Sequence, residues 1–330
     1  MKGREEDKAS FRSFVLSAFH LFILSMTSFL IIGTRGSRLA FTQTNMVGRA
    51  IEAATPGLTI DVHILKTKGD KVTDVPLVSF GGEGVFVKEL ERALLSGEID
   101  MAVHSLKDLP TTLPEGLVIA GTPERVDVRD ALIAKQVDRL EALPEGACVA
   151  TSSPRRRAQL LAYRPDLRLT DIRGNIDTRL KKLTEADDLD AIILAAAGLD
   201  RLGWGDRITE RIDCEICMPA VSQGALAIET RVDDDRTIAA VSRINHDITY
   251  QAILGERAFL RGIGGGCHTP VGAWGRIQGN TLRLDGILAA LDGSWMVRGT
   301  VSGAPEEADE SGRQLADIIL NKAPQAPLSL

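Results

Sequence analysis

The chain has 330 residues, of which 44% are hydrophobic and 25% charged, and its net charge is −6. This is ordinary globular composition with room for more than one domain, and the negative balance argues against nucleic acid and anionic membranes as partners. Aromatic residues, at 4%, are too sparse for a base-stacking platform, and four cysteines are too few for a disulfide-stapled scaffold, so a reducing compartment is the simpler reading.

The first apolar run, residues 14–32, has the hydrophobicity of a signal or anchor. Its flank "KGREEDKASFR" is partly acidic, which suits neither a secretory nor a transit peptide. Met26 is a plausible start, so residues 1–27 are expected to be a dispensable leader or a misassigned start. "FLIIGT" then reads as a buried strand, and Ser37 as the N-cap of the helix "RLAFTQTNMVGRAIEAA". "TIDVHILKT" alternates like a strand, "VFVKELERALLSGE" has helical spacing, and "IDMAVHS" is a strand again. The alternation continues through "ACVATSS", "PRRRAQLLAYR", "LRLTDI", "NIDTRLKKL" and "AIILAAAGLDRLG", which predicts α/β layering with mixed or mostly parallel sheets. Cys148, in an apolar strand, is expected in the core. Beyond residue 246 the pattern changes to a helix over 248–262, a glycine loop, a β-meander broken at "QGN" and "LDGS", and a last helix near 305–321. That is a small separate α+β domain.

Basic residues gather where strands hand over to helices: "GTRGS" (33–37), "TSSPRRR" (151–157) and "DIRGNIDTR" (171–179). Helix N-termini favour anions, and an arginine fork matches a carboxylate. In open α/β sheets such loops gather at the carboxyl ends of the strands. Three of them in an acidic chain point to a small polyanionic ligand; the alternative is a solvated charged face. In "HSLKDLP" (104–110), Lys107 and Asp108 follow another strand. They read either as an exposed turn or as a carboxylate kept ionised beside cations, able to stabilise positive charge or exchange a proton. His104 reads as structural. "DCEIC" (213–217) with Cys267 and His268 offers a weak zinc or redox alternative. Cys267 is the more unusual residue, since "GIGGGCHTP" puts a thiol where the backbone is loosest.

Together these stretches, with "MPAVSQGALAIE", closely resemble the porphobilinogen deaminase (hydroxymethylbilane synthase) family of tetrapyrrole biosynthesis, from about Ile31 to the C-terminal helix. The resemblance implies two α/β domains similar to type II periplasmic binding proteins and a small C-terminal α+β domain. The expected division is 28–123 with 224–243, then 124–223, then 246–330. It implies a monomeric cytoplasmic transferase that joins four porphobilinogen molecules head to tail with loss of ammonia, then releases hydroxymethylbilane by hydrolysis. It implies a dipyrromethane cofactor held as a thioether on Cys267, no metal, and no nucleic-acid or membrane partner.

Asp108 matches the family's catalytic aspartate, which holds pyrrole N–H groups and stabilises the cation left when ammonia departs. By the same resemblance the cofactor is bound by Arg35, Ser37 and Lys107, by Thr151, Ser153, Arg155 and Arg156, and by Arg173, Gly174 and Asn175. Substrate binding falls to Arg35, Arg173, Arg179 and Arg201, with Gln43 and Gln223 nearby. Two departures stand out: Glu83 replaces a lysine common in the family's "GGKG" loop, and "DCEIC" is not a family feature. The remaining rivals are a non-catalytic polycarboxylate-binding module on the same fold and a zinc or redox protein using Cys214, Cys217 and Cys267.

Overall fold

The computed structural model describes residues 28–65, 87–266 and 269–324. The expectations for residues 1–27, Glu83, Cys267 and His268 lie outside these described residues.

Strand β1 (Ser28–Arg35) is apolar on both faces because both are covered. Leu30 and Ile32 enter one core with Val47 and Ile51 of helix α1 (Arg38–Ala54), and Ile31 packs against another with Leu90 and Leu94 of α2 (Lys88–Leu95). Ser37 caps α1 as its side-chain type predicts, its Oγ accepting from the Ala40 N–H at 3.2 Å. β2 (Leu58–Leu65) and β3 (Met101–Ser105) flank β1 in parallel, and β4 (Leu117–Gly121) lies at the far edge of this sheet.

The chain then crosses, through residues 122–129, into a second sheet. Its strands are β5 (Asp130–Ala134), β6 (Cys148–Ala150), β7 (Arg168–Thr170), β8 (Ala191–Ala195) and β9 (Glu210–Ile212), in the order β7-β6-β8-β5-β9. Helices α3 (Pro154–Tyr163), α4 (Ile176–Glu185) and α5 (Ala196–Arg201) each follow a strand of its parallel part. Residues 213–225 lead back, and β10 (Leu226–Arg231) inserts antiparallel between β3 and β4. The first sheet is thus β2-β1-β3-β10-β4. Both sheets share one plan: the antiparallel strand next to the parallel core is the first strand formed after a crossing. Cys148 is half-buried rather than fully in the core: it packs against one core cluster but also lines an open pocket with Asp171, Lys182 and Glu185.

After α6 (Asp235–Ser242), helix α7 (Asp247–Ile263) leads to a meander of β11 (Val271–Gln278), β12 (Thr281–Ala289) and β13 (Met296–Gly303), followed by α8 (Ala308–Lys322). Phe259, Leu284, Val301, Leu315 and Ile319 close this core. Gly312 of α8 sits on the Gly255 carbonyl of α7, where no Cβ fits, so the two helices meet at backbone distance.

One buried ion pair ties the two crossings to this third layer. Arg125, in the first crossing, gives both terminal nitrogens to the Glu256 carboxylate of α7. Glu256, fully buried, also accepts the Ser222 N–H of the second crossing at 2.5 Å and the Gly275 N–H of β11 at 2.7 Å. The crossings touch each other as well. Gly224 has φ +89°, and a Cβ there would lie 2.7 Å from the Val126 carbonyl oxygen. Gly224→Ala is therefore expected to lower stability by about 1–3 kcal/mol, combining backbone strain with this clash. Urea denaturation checks it, and an unchanged midpoint would mean that the crossings are not held this closely.

Candidate active site

The carboxyl ends of β1, β3, β6 and β7 carry the basic loops, and β8 runs directly into α5, which ends at Arg201. Arg35 ends β1, half-buried, just before Ser37. Past β6, Thr151 is buried and its Oγ1 accepts the Ser153 N–H at 3.3 Å. Ser153 caps α3, with Pro154 in the first turn, where its fixed φ suits a helix start. Ser152 locks this loop to the next by bonding both the N–H and the carbonyl of Ile172 at 3.0 Å. There Arg173, Gly174 and Asn175 are exposed before α4.

The side chains of Arg155 and Arg156 run inward rather than standing free at the helix start. Both are buried, and both bind Asp130, the first residue of β5. Arg155 donates Nη1 to Asp130 at 2.8 Å and to the Met218 carbonyl at 2.6 Å. Arg156 donates Nε and Nη2 to Asp130 at 3.0 and 2.7 Å, and Nη1 to the Ile193 carbonyl at 3.0 Å. Asp130 also accepts from Gln223 Nε2 at 2.9 Å and from the Cys217 thiol at 3.3 Å. Burial alone would raise its pKa; the two guanidiniums reverse that and hold the carboxyl far below the usual range. The same burial pushes the Cys217 thiol up to about 12, and that of Cys214 to about 11. Such thiols stay protonated at neutral pH and are poor nucleophiles.

Asp130 was missed in the sequence, although a charged residue opening the apolar strand "DALIA" is the available signal. Gln223 extends its reach across the crossing: Gln223 Oε1 accepts from Lys107 Nζ at 3.2 Å. Burial pushes the Lys107 amine down to about 8, with Asp108 and Asp130 opposing and the two arginines assisting. Asp108 itself is exposed at the end of a single 3-10 turn, Leu106–Asp108. Arg179, on α4, donates Nε to the Gly174 carbonyl at 2.8 Å. Burial first, then the nearby charge of Arg156, lowers its pKa, while Asp108 opposes the shift. Asp130 thus gathers Arg155, Arg156 and Gln223, with Lys107 joined through Gln223, and Asp108 and Arg179 lie within electrostatic reach of Lys107 and Arg156.

Arg201 and Gln43 form a second link between the sheets. Arg201 donates to Gln43 Oε1 at 3.0 Å and to the Gly224 carbonyl at 2.6 Å. Gln43 is buried and also accepts from Ser105 Oγ at 3.2 Å. Burial pushes the Arg201 guanidinium down to about 10. His104 is structural as expected, buried with Nε2 at 2.9 Å from Glu229. An open pocket of about 380 Å³ beside Cys148, Asp171, Lys182 and Glu185 shares no residue with the cationic cluster.

Fold and site together define an α/β protein with cations collected at the strand ends of two sheets, suited to a small ligand bearing several carboxylates. The family model described as porphobilinogen deaminase, dipyromethane cofactor binding domain, matches residues 30–239, and that of the C-terminal domain matches 250–321. The porphobilinogen deaminase of Trichlorobacter lovleyi is 50% identical over 289 residues, covering 88% of this chain and 92% of its own. That of Geobacillus kaustophilus is 49% identical over 298 residues, covering 90% and 96%. The solved methionine-binding protein MetQ aligns with a TM-score of 0.41 and 14% identity over 68% of this chain and 92% of its own, too distant to carry any argument about ligands.

The chain belongs to the porphobilinogen deaminase family. It is an enzyme, a transferase of tetrapyrrole biosynthesis that acts on porphobilinogen and carries a dipyrromethane cofactor-binding domain. The donor set fits that group, because each pyrrole ring brings two carboxylates and the cluster sets four cations against Asp108 and Asp130. If Lys107 meets a carboxylate in its charged form, kcat/KM for porphobilinogen falls as pH rises through about 8. Lys107→Arg keeps the charge, so its falling limb moves to higher pH. A limb at the same pH in both enzymes would remove Lys107 from carboxylate binding.

Proposed function

We propose that this chain joins four porphobilinogen molecules head to tail, losing ammonia at each step, and releases hydroxymethylbilane by hydrolysis. The observation that carries this reading is the juxtaposition of the exposed Asp108 with Lys107, Arg156 and Arg179, cations from both sheets. When bound, the dipyrromethane supplies the primer to which substrate units are added. Cys267 would hold it by a thioether, because a thiolate is the strong nucleophile that an electrophilic methylene carbon requires.

The residues of the chain divide the remaining work. Arg35, Ser37, Lys107, Thr151, Ser153, Arg155 and Arg156 would hold the cofactor carboxylates, and Arg173, Gly174 and Asn175 would offer backbone and side-chain donors from the next loop. Arg155 and Arg156 are both oriented for this by Asp130, which takes Nη1 of the first and Nε and Nη2 of the second. Arg179 and Arg201, with Arg35, Arg173, Gln43 and Gln223, receive the substrate carboxylates. Asp108, exposed at the end of its turn, would hold the pyrrole N–H, stabilise the positive charge that develops as ammonia leaves, and take or return a proton there.

The division into 28–123 with 224–243, 124–223 and 246–330 fits the two crossings and the meander layer. The enzyme works in the cytoplasm as a monomer, with neither nucleic acid nor membrane as partner. Among the described residues no helix is long and apolar enough to cross a membrane.

Cys267→Ser is the test. An alcohol is a far weaker nucleophile than a thiolate, so the variant is expected to fold, to lack the dipyrromethane mass adduct carried by the parent chain, and to lose activity. Intact mass spectrometry and a porphobilinogen turnover assay read both outcomes. Normal adduct and turnover in the variant would move the attachment elsewhere, and an unmodified, inactive parent chain from porphobilinogen-making cells would leave a binding module.

A further inference from the structure

Asp108 stands exposed on a short turn, and a carboxylate that must meet a developing charge needs a fixed place. Three contacts fix that turn. Leu106 is buried, and its N–H donates to the Ala225 carbonyl at 3.1 Å, tying the turn to the returning crossing. Leu106 and Leu109 pack with Ile253 of α7 in one apolar cluster. Arg257, one helical turn further on the same face of α7, donates Nη1 to the Leu109 carbonyl at 3.1 Å and Nη2 to the Pro110 carbonyl at 2.6 Å.

Arg257 is an expensive way to hold a loop. It is only 5% exposed, and its hydrogen-bond partners are two neutral carbonyls rather than a carboxylate. Glu229 is near enough to attract it but is not hydrogen-bonded to it, and the nearby Arg261 repels it, so burying this guanidinium costs free energy that two ordinary hydrogen bonds offset only in part. What the arrangement provides is direction: a planar fork fixes two successive carbonyls at once, immediately after Asp108. The helix that carries it ends at Ile263, four residues before Cys267 in the sequence.

We propose that Arg257 is a positioning residue for Asp108, locking the turn that carries this carboxylate to helix α7, the element that leads toward Cys267. The proposal rests on the reading of Asp108 given above. Arg257 touches neither substrate nor cofactor in this account; it acts through the backbone of Leu109 and Pro110.

The experiment is a double-mutant cycle on the cofactor-loaded enzyme. Arg257→Met keeps the apolar stem and removes the fork. It is expected to fold with normal cofactor content by intact mass, to lose about tenfold or more in kcat, and to change KM by less than about threefold. Arg257→Lys, which retains one charged donor, is expected to recover part of the loss. In an Asp108→Asn background the Arg257→Met change is expected to cost less than about twofold more, because it acts through a carboxylate already removed. Fully multiplicative losses, or a kcat for Arg257→Met within about twofold of the parent, would overturn the proposal alone. Near-normal turnover in Asp108→Asn would instead overturn the reading of Asp108, and this proposal with it. Arg257→Gln takes the same criteria if Arg257→Met does not fold, and failure of both to fold would make Arg257 a folding residue and sink the idea.

Discussion

A single buried carboxylate, Asp130, sets the geometry on which the site depends. Its two oxygens take up Arg155, Arg156 and Gln223, and through Gln223 it reaches Lys107. Four basic side chains brought together would repel one another and leave for solvent. One anion beneath them, out of water and therefore weakly screened, binds Arg155 and Arg156 directly and Lys107 through Gln223, while leaving the cluster positive. Such a buried pair is a poor source of net stability, because desolvation consumes most of the attraction. Its value lies in orientation. The cost of lining up donors is met during folding, before a polycarboxylate arrives.

A second buried pair does the same for the frame. Glu256 and Arg125 join α7 to both crossings and to β11, so the parts that carry Asp108, the arginines and the meander share one anchor. Ser222, beside it, has φ +62° without being glycine, a conformation that only strong surrounding contacts sustain. Adjacent residues of α7 thus have separate tasks: Glu256 holds the crossings, and Arg257 holds the turn after Asp108.

The legible features in the sequence were those determined locally. Helix α1 begins at Ser37 because a serine hydroxyl can cap it, and the span read from periodicity, residues 38–54, is the span observed. The basic loops fall at strand ends because the β–α alternation puts them there. The meander and α8 followed from turn residues and apolar spacing. Illegible were the partners. Asp130 meets Arg155 from 25 positions away and Gln223 from 93, and Glu256 meets Arg125 across 131. Periodicity reports which face of an element is buried, and it is silent on which distant charge that face meets. The inward course of Arg155 and Arg156 was hidden for the same reason. A helix start beside basic residues predicts an anion, and it could not say that the first anion is the protein's own.

The most direct measurement is cofactor occupancy by intact mass in Asp130→Asn, purified from cells that make porphobilinogen and checked for folding by circular dichroism. Asparagine keeps the shape and part of the hydrogen bonding but removes the charge that holds the arginines. The account predicts a folded variant whose dipyrromethane adduct is largely missing beside a fully loaded parent chain. Equal occupancy in the two proteins would contradict it, because the cations would then find the cofactor carboxylates without Asp130 to place them.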